Sequence, residues 1–309
     1  MDTSTIGRSE TRPGDVQVRV MGTPRSGTNL AKYLVERYLK TPVVFDQGFW
    51  KHGIFPALMS GRDLQYGELP IIVVSKDPVT QILSWYRYAR NNTVFEQGKC
   101  LGSFLSRPFE IRQDFTEPKQ MEYRFSNPSD YWNQFYFAMD ALRRTGAPVH
   151  FVCYEQLVSS PALALNSISH CLGLSSPFDV ASAVAIPQHA LGASNDIDRA
   201  ASSTIDQTAF DPARAELASA LARIGWHNAR TILRDIDDDV ISATGRTGFR
   251  KLCREAAGPA AMLRSLVGFG EACRRRSVHH AVFTVQPGPN RLSLTYAGNV
   301  TLHAGKAVP

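Results

Sequence analysis

Apolar positions along this chain switch repeatedly between two periods. Val16-Gln-Val-Arg-Val-Met21 alternates apolar and polar residues, as a strand does, and Gly22 to Gly27 supplies turn formers. Leu30, Tyr33, Leu34, Arg37 and Tyr38 then recur at helical spacing, which predicts a helix over 28–39. Pro42 to Phe45 reads as a short second strand. Ile71-Ile-Val-Val74 is a continuous β-branched run, the pattern of a strand buried on both faces. Asp77-Pro78 opens a further helix with proline at its first position, continuing through Ile82, Leu83, Trp85 and Tyr86.

Residues 92–128 mix glycine, proline, aromatics and charges. They predict an irregular insert, long for a plain connection and suited to a lid or an acceptor-binding segment. A helix over Tyr131–Arg144, a buried strand over Val149–Tyr154, a helix over Pro161–Leu172 ending at Gly173 and an amphipathic helix over Pro212–Ile224 follow. Strands alternating with helices predict an α/β fold, a mainly parallel sheet covered by helices on both faces. Beyond residue 235 the periodicity weakens. Asp237–Asp239 and Gly245–Gly248 read as linker, Ala260–Arg276 as helix, and the remainder as an alternating tail. The expected organisation is a flexible N-terminus over 1–14, a P-loop domain over 15–235, and a partly helical C-terminal extension over 236–309.

The chain has 309 residues, of which 43% are hydrophobic and 20% charged, enough to bury a sizeable core. Its formal net charge of +6 favours anionic ligands without choosing among them. The five cysteines include no CxxC pair, so no zinc or redox motif is indicated. Cys153 and Cys171 lie in apolar surroundings and read as core residues, and a reducing cytoplasm is expected. The first residues carry no apolar signal core, and no stretch approaches the roughly 18 apolar residues that span a bilayer. Membrane contact is expected to be peripheral at most.

The chemistry concentrates in Gly22-Thr-Pro-Arg-Ser-Gly-Thr-Asn29. A loop between a strand and a helix N-terminus presents backbone N–H groups and a partial positive charge to phosphate. The glycines have P-loop spacing, but Thr28-Asn29 stands where a P-loop carries its Lys-Ser/Thr pair. The lysine that spans terminal phosphates and the hydroxyl that ligates magnesium are both replaced, which argues against an ordinary ATPase or kinase. The cation of this loop is Arg25.

Pro24-Arg25-Ser26-Gly27-Thr28 resembles the phosphosulfate loop of the sulfotransferases that use 3′-phosphoadenosine 5′-phosphosulfate (PAPS). The resemblance implies a sulfotransferase-like P-loop fold. It places Arg25 on the transferring sulfonyl group and its bridging oxygen, and Ser26, Gly27, Thr28 and Asn29 on the 5′-phosphate. Val73-Val-Ser-Lys76-Asp-Pro-Val-Thr-Gln-Ile-Leu-Ser84 is similar to the family's second motif, which implies that Lys76 and Ser84 contact the 3′-phosphate. Lys76 stands where arginine is usual, keeping the charge but losing the bidentate fork. Phe151-Val-Cys-Tyr154-Glu155-Gln-Leu157 resembles a third motif, which implies that Tyr154 borders the adenine. The aromatic residue that follows the family's first loop is Leu30 here, so adenine stacking falls to another group. The resemblance covers residues 16–175.

It further implies transfer of a sulfonyl group from PAPS to a hydroxyl or amine, served by fixed cations without a metal. The acceptor is a small molecule or, by the form of the first loop, a glycan or glycolipid. No nucleic-acid partner is expected. The family's general base is a histidine, and His52 in Trp50-Lys51-His52-Gly53 stands near its place. The family separates lysine and histidine by one residue, whereas these are adjacent and in a regular strand would face opposite ways. A turn at Gly53 would repair this. Asp46 and Glu36 are the alternatives, since carbohydrate-modifying relatives use a carboxylate. Arg246, Arg250 and Lys251 read as a solvated face in preference to a late 3′-phosphate contact. Arg274–Arg276 reads as a surface charge run.

Overall fold

The computed structural model describes residues 16–45, 50–54, 69–91, 100–113, 121–174, 177–186, 212–258, 282–288 and 291–297. A parallel four-stranded sheet has the order β2-β1-β3-β6, from β1 (Val18–Met21), β2 (Val43–Val44), β3 (Ile71–Ser75) and β6 (Val149–Cys153). β3 is buried at every position. Its pleat sends Ile71 and Val73 to one face of the sheet and Ile72 and Val74 to the other, where two separate cores form.

One face is covered by α1 (Thr28–Leu34), which widens into a π-helical turn over Val35–Leu39, and by α5 (Tyr154–Ser159) and α6 (Pro161–Cys171). Leu30, Leu34, Leu165 and Ile168 meet Val20 and Val74 there. The other face carries α2 (Pro78–Asn91), α3 (Leu101–Ser106), α4 (Pro128–Arg144) and α7 (Pro212–Asp235). The Asn127 side chain accepts a hydrogen bond from the Asp130 N–H to cap α4, whose Tyr131, Trp132, Phe135 and Tyr136 are fully enclosed. Each such aromatic buries roughly 150–250 Å².

Several expectations are corrected. The insert holds α3 and an antiparallel hairpin of β4 (Phe109–Gln113) and β5 (Met121–Phe125), whose mixed composition conceals a period of two. α7 breaks where its predicted end lies, at Gly225 with φ 73, but the chain resumes helix to Asp235. Asp237–Asp239 is a helix start: the Asp237 carboxylate accepts from the N–H groups of Asp239 and Val240 and opens α8 (Asp238–Ala243). Gly248 leads into α9 (Phe249–Ala257). Ile236, Val240, Ile241, Phe249 and Cys253 belong to the same buried cluster as residues of α2 and α4. β7 (Val282–Gly288) and β8 (Arg291–Ala297) turn the alternating tail into a hairpin. The helix expected over 260–276 lies outside the described residues. Cys171 is exposed instead of buried.

Candidate functional site

In the order β2-β1-β3-β6 the chain leaves β1 first toward β2 and then crosses to β3 on the opposite side. This reversal opens a crevice at the carboxyl ends of β1 and β3, the place where open α/β sheets bind ligands. The loop after β1 and Lys76 after β3 both stand at this point, and Tyr154 follows β6 on the neighbouring edge.

The loop is built for close backbone approach. A Cβ at Gly22 would lie 2.3 Å from Ser26 Oγ and 2.5 Å from the Val74 carbonyl oxygen, so only glycine lets the turn fold against β3. Gly27 has φ 100, and a Cβ there would lie 2.4 Å from Cδ2 of Tyr154. The Tyr154 ring thus lies over the second glycine as a wall. Thr23 Oγ1 and the Tyr136 hydroxyl lie 3.1 Å apart, and Tyr136 donates to the Val74 carbonyl at 2.9 Å, tying the loop to α4 through the sheet. The Gln81 carboxamide donates to the Pro24 carbonyl from α2. Ser26 Oγ is buried with no hydrogen-bond partner of good geometry among the described residues, although the Tyr136 hydroxyl is close enough to feel it electrostatically.

Arg25 is one of two non-glycine residues with positive φ among the described residues, at 68. Its Nε donates to Ser84 Oγ at 3.4 Å, and its guanidinium lies 5.5 Å from the centroid of the Tyr88 ring. Burial lowers its pKa, against the pull of the Tyr88 and Tyr154 rings. Lys76 is buried and holds its ammonium 4.2 Å from the centroid of Tyr154. Arg25 and Ser84, expected at opposite ends of the nucleotide, are therefore in direct contact. Tyr154 opens α5 instead of ending a strand.

Residues Trp50 to Gly53 form a turn, closed by the Gly53 N–H on the Trp50 carbonyl at 2.8 Å. The turn removes the difficulty of adjacent Lys51 and His52, since both reach the loop. Lys51 Nζ donates to Asn29 Oδ1 at 2.9 Å and sits 3.9 Å over the Phe45 ring. His52 Nδ1 lies 2.5 Å from the Gly22 carbonyl oxygen. A carbonyl only accepts, so Nδ1 carries the proton and Nε2 the lone pair. The Gly22 N–H bonds the Lys51 carbonyl at 3.1 Å, and the Tyr131 hydroxyl donates to the His52 carbonyl at 2.6 Å.

Burial drives the His52 pKa down to about 3, opposed by the Gly22 carbonyl and reinforced by the charges of Lys51 and Arg25. The ring is therefore neutral at physiological pH, far from the titration near neutrality that an ordinary histidine shows. Of the alternative bases, Glu36 is engaged elsewhere, pairing with Lys32 and accepting from the Val43 N–H at 3.2 Å. Asp46 lies outside the described residues.

Two participants escape sequence reading. Lys51 appears there only as a neighbour of the histidine, yet it is a cation on the loop. Arg246 pairs with Glu155 and is buried, neither a solvated charge nor a loop-facing one. Arg250, with its side chain 36% exposed, donates to the Ile236 carbonyl at 2.7 Å and pairs with Asp238. A group of three or more His, Cys, Asp or Glu side chains able to hold a metal ion does not occur among the described residues. Nor is any described helix long and apolar enough to cross a membrane. Compared with protein-family models, curated proteins and solved structures, the chain matches none of them.

Proposed function

We propose that this chain is a sulfotransferase moving the sulfonyl group of PAPS to a hydroxyl or amine of an acceptor. The observation that carries the reading is the convergence of Arg25, Lys51 and Lys76, from three separate segments, around one glycine loop at the switch point of a parallel sheet. The residues fit a doubly anionic nucleotide. Ser26 Oγ is a buried hydroxyl with bonding capacity to spare, Gly27 is a cradle that a Cβ would fill, and the three cations come from separate segments. PAPS, when bound, supplies a sulfur open to in-line attack and a phosphate leaving group.

The chain's own contribution is positioning and charge. Lys76 offers a point charge at the end of β3. Lys51 and the loop N–H groups favour negative charge at the start of α1, and Arg25, the cation of the loop, would offset charge on a leaving oxygen. His52, neutral and anchored through Nδ1, holds a lone pair on Nε2 that can receive the acceptor's proton. Anionic charge on the loop would offset Lys51 and Arg25 and raise the basicity of His52. We assign the acceptor side to the insert containing α3 and the β4–β5 hairpin, with a glycan or glycolipid as the class. The free cysteines Cys100, Cys153, Cys171 and Cys253 suit a reducing cytoplasm.

One observation favours a second reading, nucleotide binding without transfer: His52 is enclosed, bonded to the main chain and weakly basic. Calorimetric titration with 3′,5′-adenosine bisphosphate (PAP), beside ATP with magnesium, tests the nucleotide assignment on wild type, Arg25→Ala and Lys76→Ala. PAP binding weakened by both substitutions supports it, and preference for magnesium-ATP or no binding overturns it. PAP binding with no transfer from PAPS to a broad acceptor panel selects the second reading.

A further inference from the structure

Two carboxylates stand beside the Lys76 site. Asp77 follows Lys76 directly, and Glu155 follows Tyr154. They are coupled through the main chain, because the Asp77 N–H donates to Glu155 Oε1 at 2.8 Å. Unopposed, this pair would repel any anion brought to Lys76 and would draw the lysine ammonium to itself.

The opposition comes from a distant part of the chain. Arg246, between α8 and α9, sends its guanidinium across the sheet end. It donates to Ser75 Oγ at 2.7 Å, to the Ser75 carbonyl at 2.7 Å and to the second oxygen of Glu155. Its side chain is 8% exposed. Burial works against its charge, but Glu155, Cys153 and Asp77 outweigh this and hold it above its ordinary pKa. Cys153 Sγ donates to the Thr244 carbonyl at 3.3 Å, fastening the segment from the other side. The charged and titratable groups facing the carboxylates are Lys76, Cys153, Arg246 and, from α9, Cys253. With Arg246 in place, Glu155 is neutralised and Lys76 retains attraction for a ligand. Without it, the cluster gains a net negative charge.

We propose that Arg246 is a positioning residue for the anion site: it neutralises Glu155 beside Lys76, so that this carboxylate does not repel a phosphate group bound at the end of β3. The identity of that phosphate, the 3′-phosphate of PAPS, rests on the sulfotransferase reading. The neutralisation does not. Arg246 touches no atom of the ligand in this role and acts through Glu155 and the end of β3.

The test compares wild type, Arg246→Lys, Arg246→Met and the double variant Arg246→Met/Glu155→Gln. PAP affinity is measured at about pH 6 and about pH 8, and thermal unfolding is followed over the same range without ligand. Arg246→Met is expected to bind PAP about tenfold more weakly at the higher pH, with the deficit shrinking at the lower pH, where Asp77, raised to about 6, takes up a proton. Arg246→Lys retains most of the affinity, and the double variant returns to within about threefold of wild type. In the ligand-free arm, the stability deficit of Arg246→Met narrows as pH falls, whereas that of the double variant is flat. Unchanged PAP affinity in Arg246→Met, or a deficit independent of pH that Glu155→Gln does not relieve, overturns the inference. A wild type that ignores PAP overturns the sulfotransferase reading alone, and the ligand-free arm then decides the neutralisation by itself.

Discussion

The Nε of Arg25 lies 3.4 Å from Ser84 Oγ, with the Tyr88 ring flanking the same guanidinium. Ser84 and Tyr88 are one helical turn apart on α2, so one face of that helix holds the cation of the loop. Arg25 is also held at φ 68, where an L side chain is strained. Charge and backbone therefore make separable contributions. Arg25→Gly is expected to be about 1 kcal/mol more stable than Arg25→Ala in urea unfolding, because glycine adopts this conformation freely. Both variants are expected to lose PAP affinity to the same extent. A stability order of alanine above glycine would show that the backbone there is unstrained.

Gly27→Ala meets two obstacles, its φ of 100 and the Tyr154 ring 2.4 Å from the new Cβ. A destabilisation of about 1–3 kcal/mol in thermal unfolding is expected, together with loss of PAP binding. Adding Tyr154→Ala removes the collision and leaves the backbone strain. The effect of Gly27→Ala is therefore expected to be smaller in a Tyr154→Ala background than in wild type. Equal effects in the two backgrounds would mean that the ring does not press on the loop.

His52 links stability to pH. Its folded pKa, about 3, lies below the ordinary 6.5, so between these values the unfolded chain binds more protons than the folded one. Its contribution is complete above pH 6.5 and is lost as pH falls toward 3. Asp77 acts in the opposite sense: burial, and then Glu155, raise its pKa from 3.8 to about 6, so folding is favoured as pH falls through that window. The two trends overlap, and the wild-type profile alone does not separate them. The difference between wild type and His52→Asn does: it is expected to diminish steadily as pH falls from 6.5. A difference that stays constant would show that His52 titrates normally.

Lys51→Met removes a cation whose Nζ lies 2.9 Å from Asn29 Oδ1. A charge-assisted hydrogen bond contributes about 1.5–3 kcal/mol, so a 10- to 100-fold loss of PAP affinity by calorimetry is expected. Asn29→Ala, which removes only the anchor, is expected to cost less. A larger loss from Asn29→Ala would make the asparagine the ligand contact and the lysine its support.

Much of the sheet was legible because its strands are β-branched runs with glycine or proline at their ends. Val18–Met21, Ile71–Ser75 and Val149–Cys153 fall within a residue or two of their expected bounds. The glycine loop, Lys76 and Tyr154 were legible as motif members, and parallel pairing explains why they share one end of the sheet. Contacts made by reach rather than by spacing were not legible. Arg246 meets Glu155 across a long stretch of chain, and the surrounding Gly-Arg-Thr-Gly reads locally as linker. Lys51 and His52 are adjacent, and only the turn closed on Trp50 shows that both reach the same loop. The β4–β5 hairpin was concealed because its alternation of apolar and charged positions lasts only five residues in each strand and is set among glycine, proline and charges, although Phe109 and Ile111 are register partners of Phe125 and Tyr123.

The pairing of Arg246 with Glu155 also has a temporal meaning. During synthesis the strands and the glycine loop leave the ribosome well before residue 246. A nascent chain that has assembled β1, β3 and β6 still carries Glu155 unopposed beside Lys76. The proposed phosphate site would become electrostatically competent only once the segment between α8 and α9 has docked. Nucleotide capture would then mark the end of folding, and a chain truncated before that segment would lack the neutralising charge even with its whole glycine motif intact.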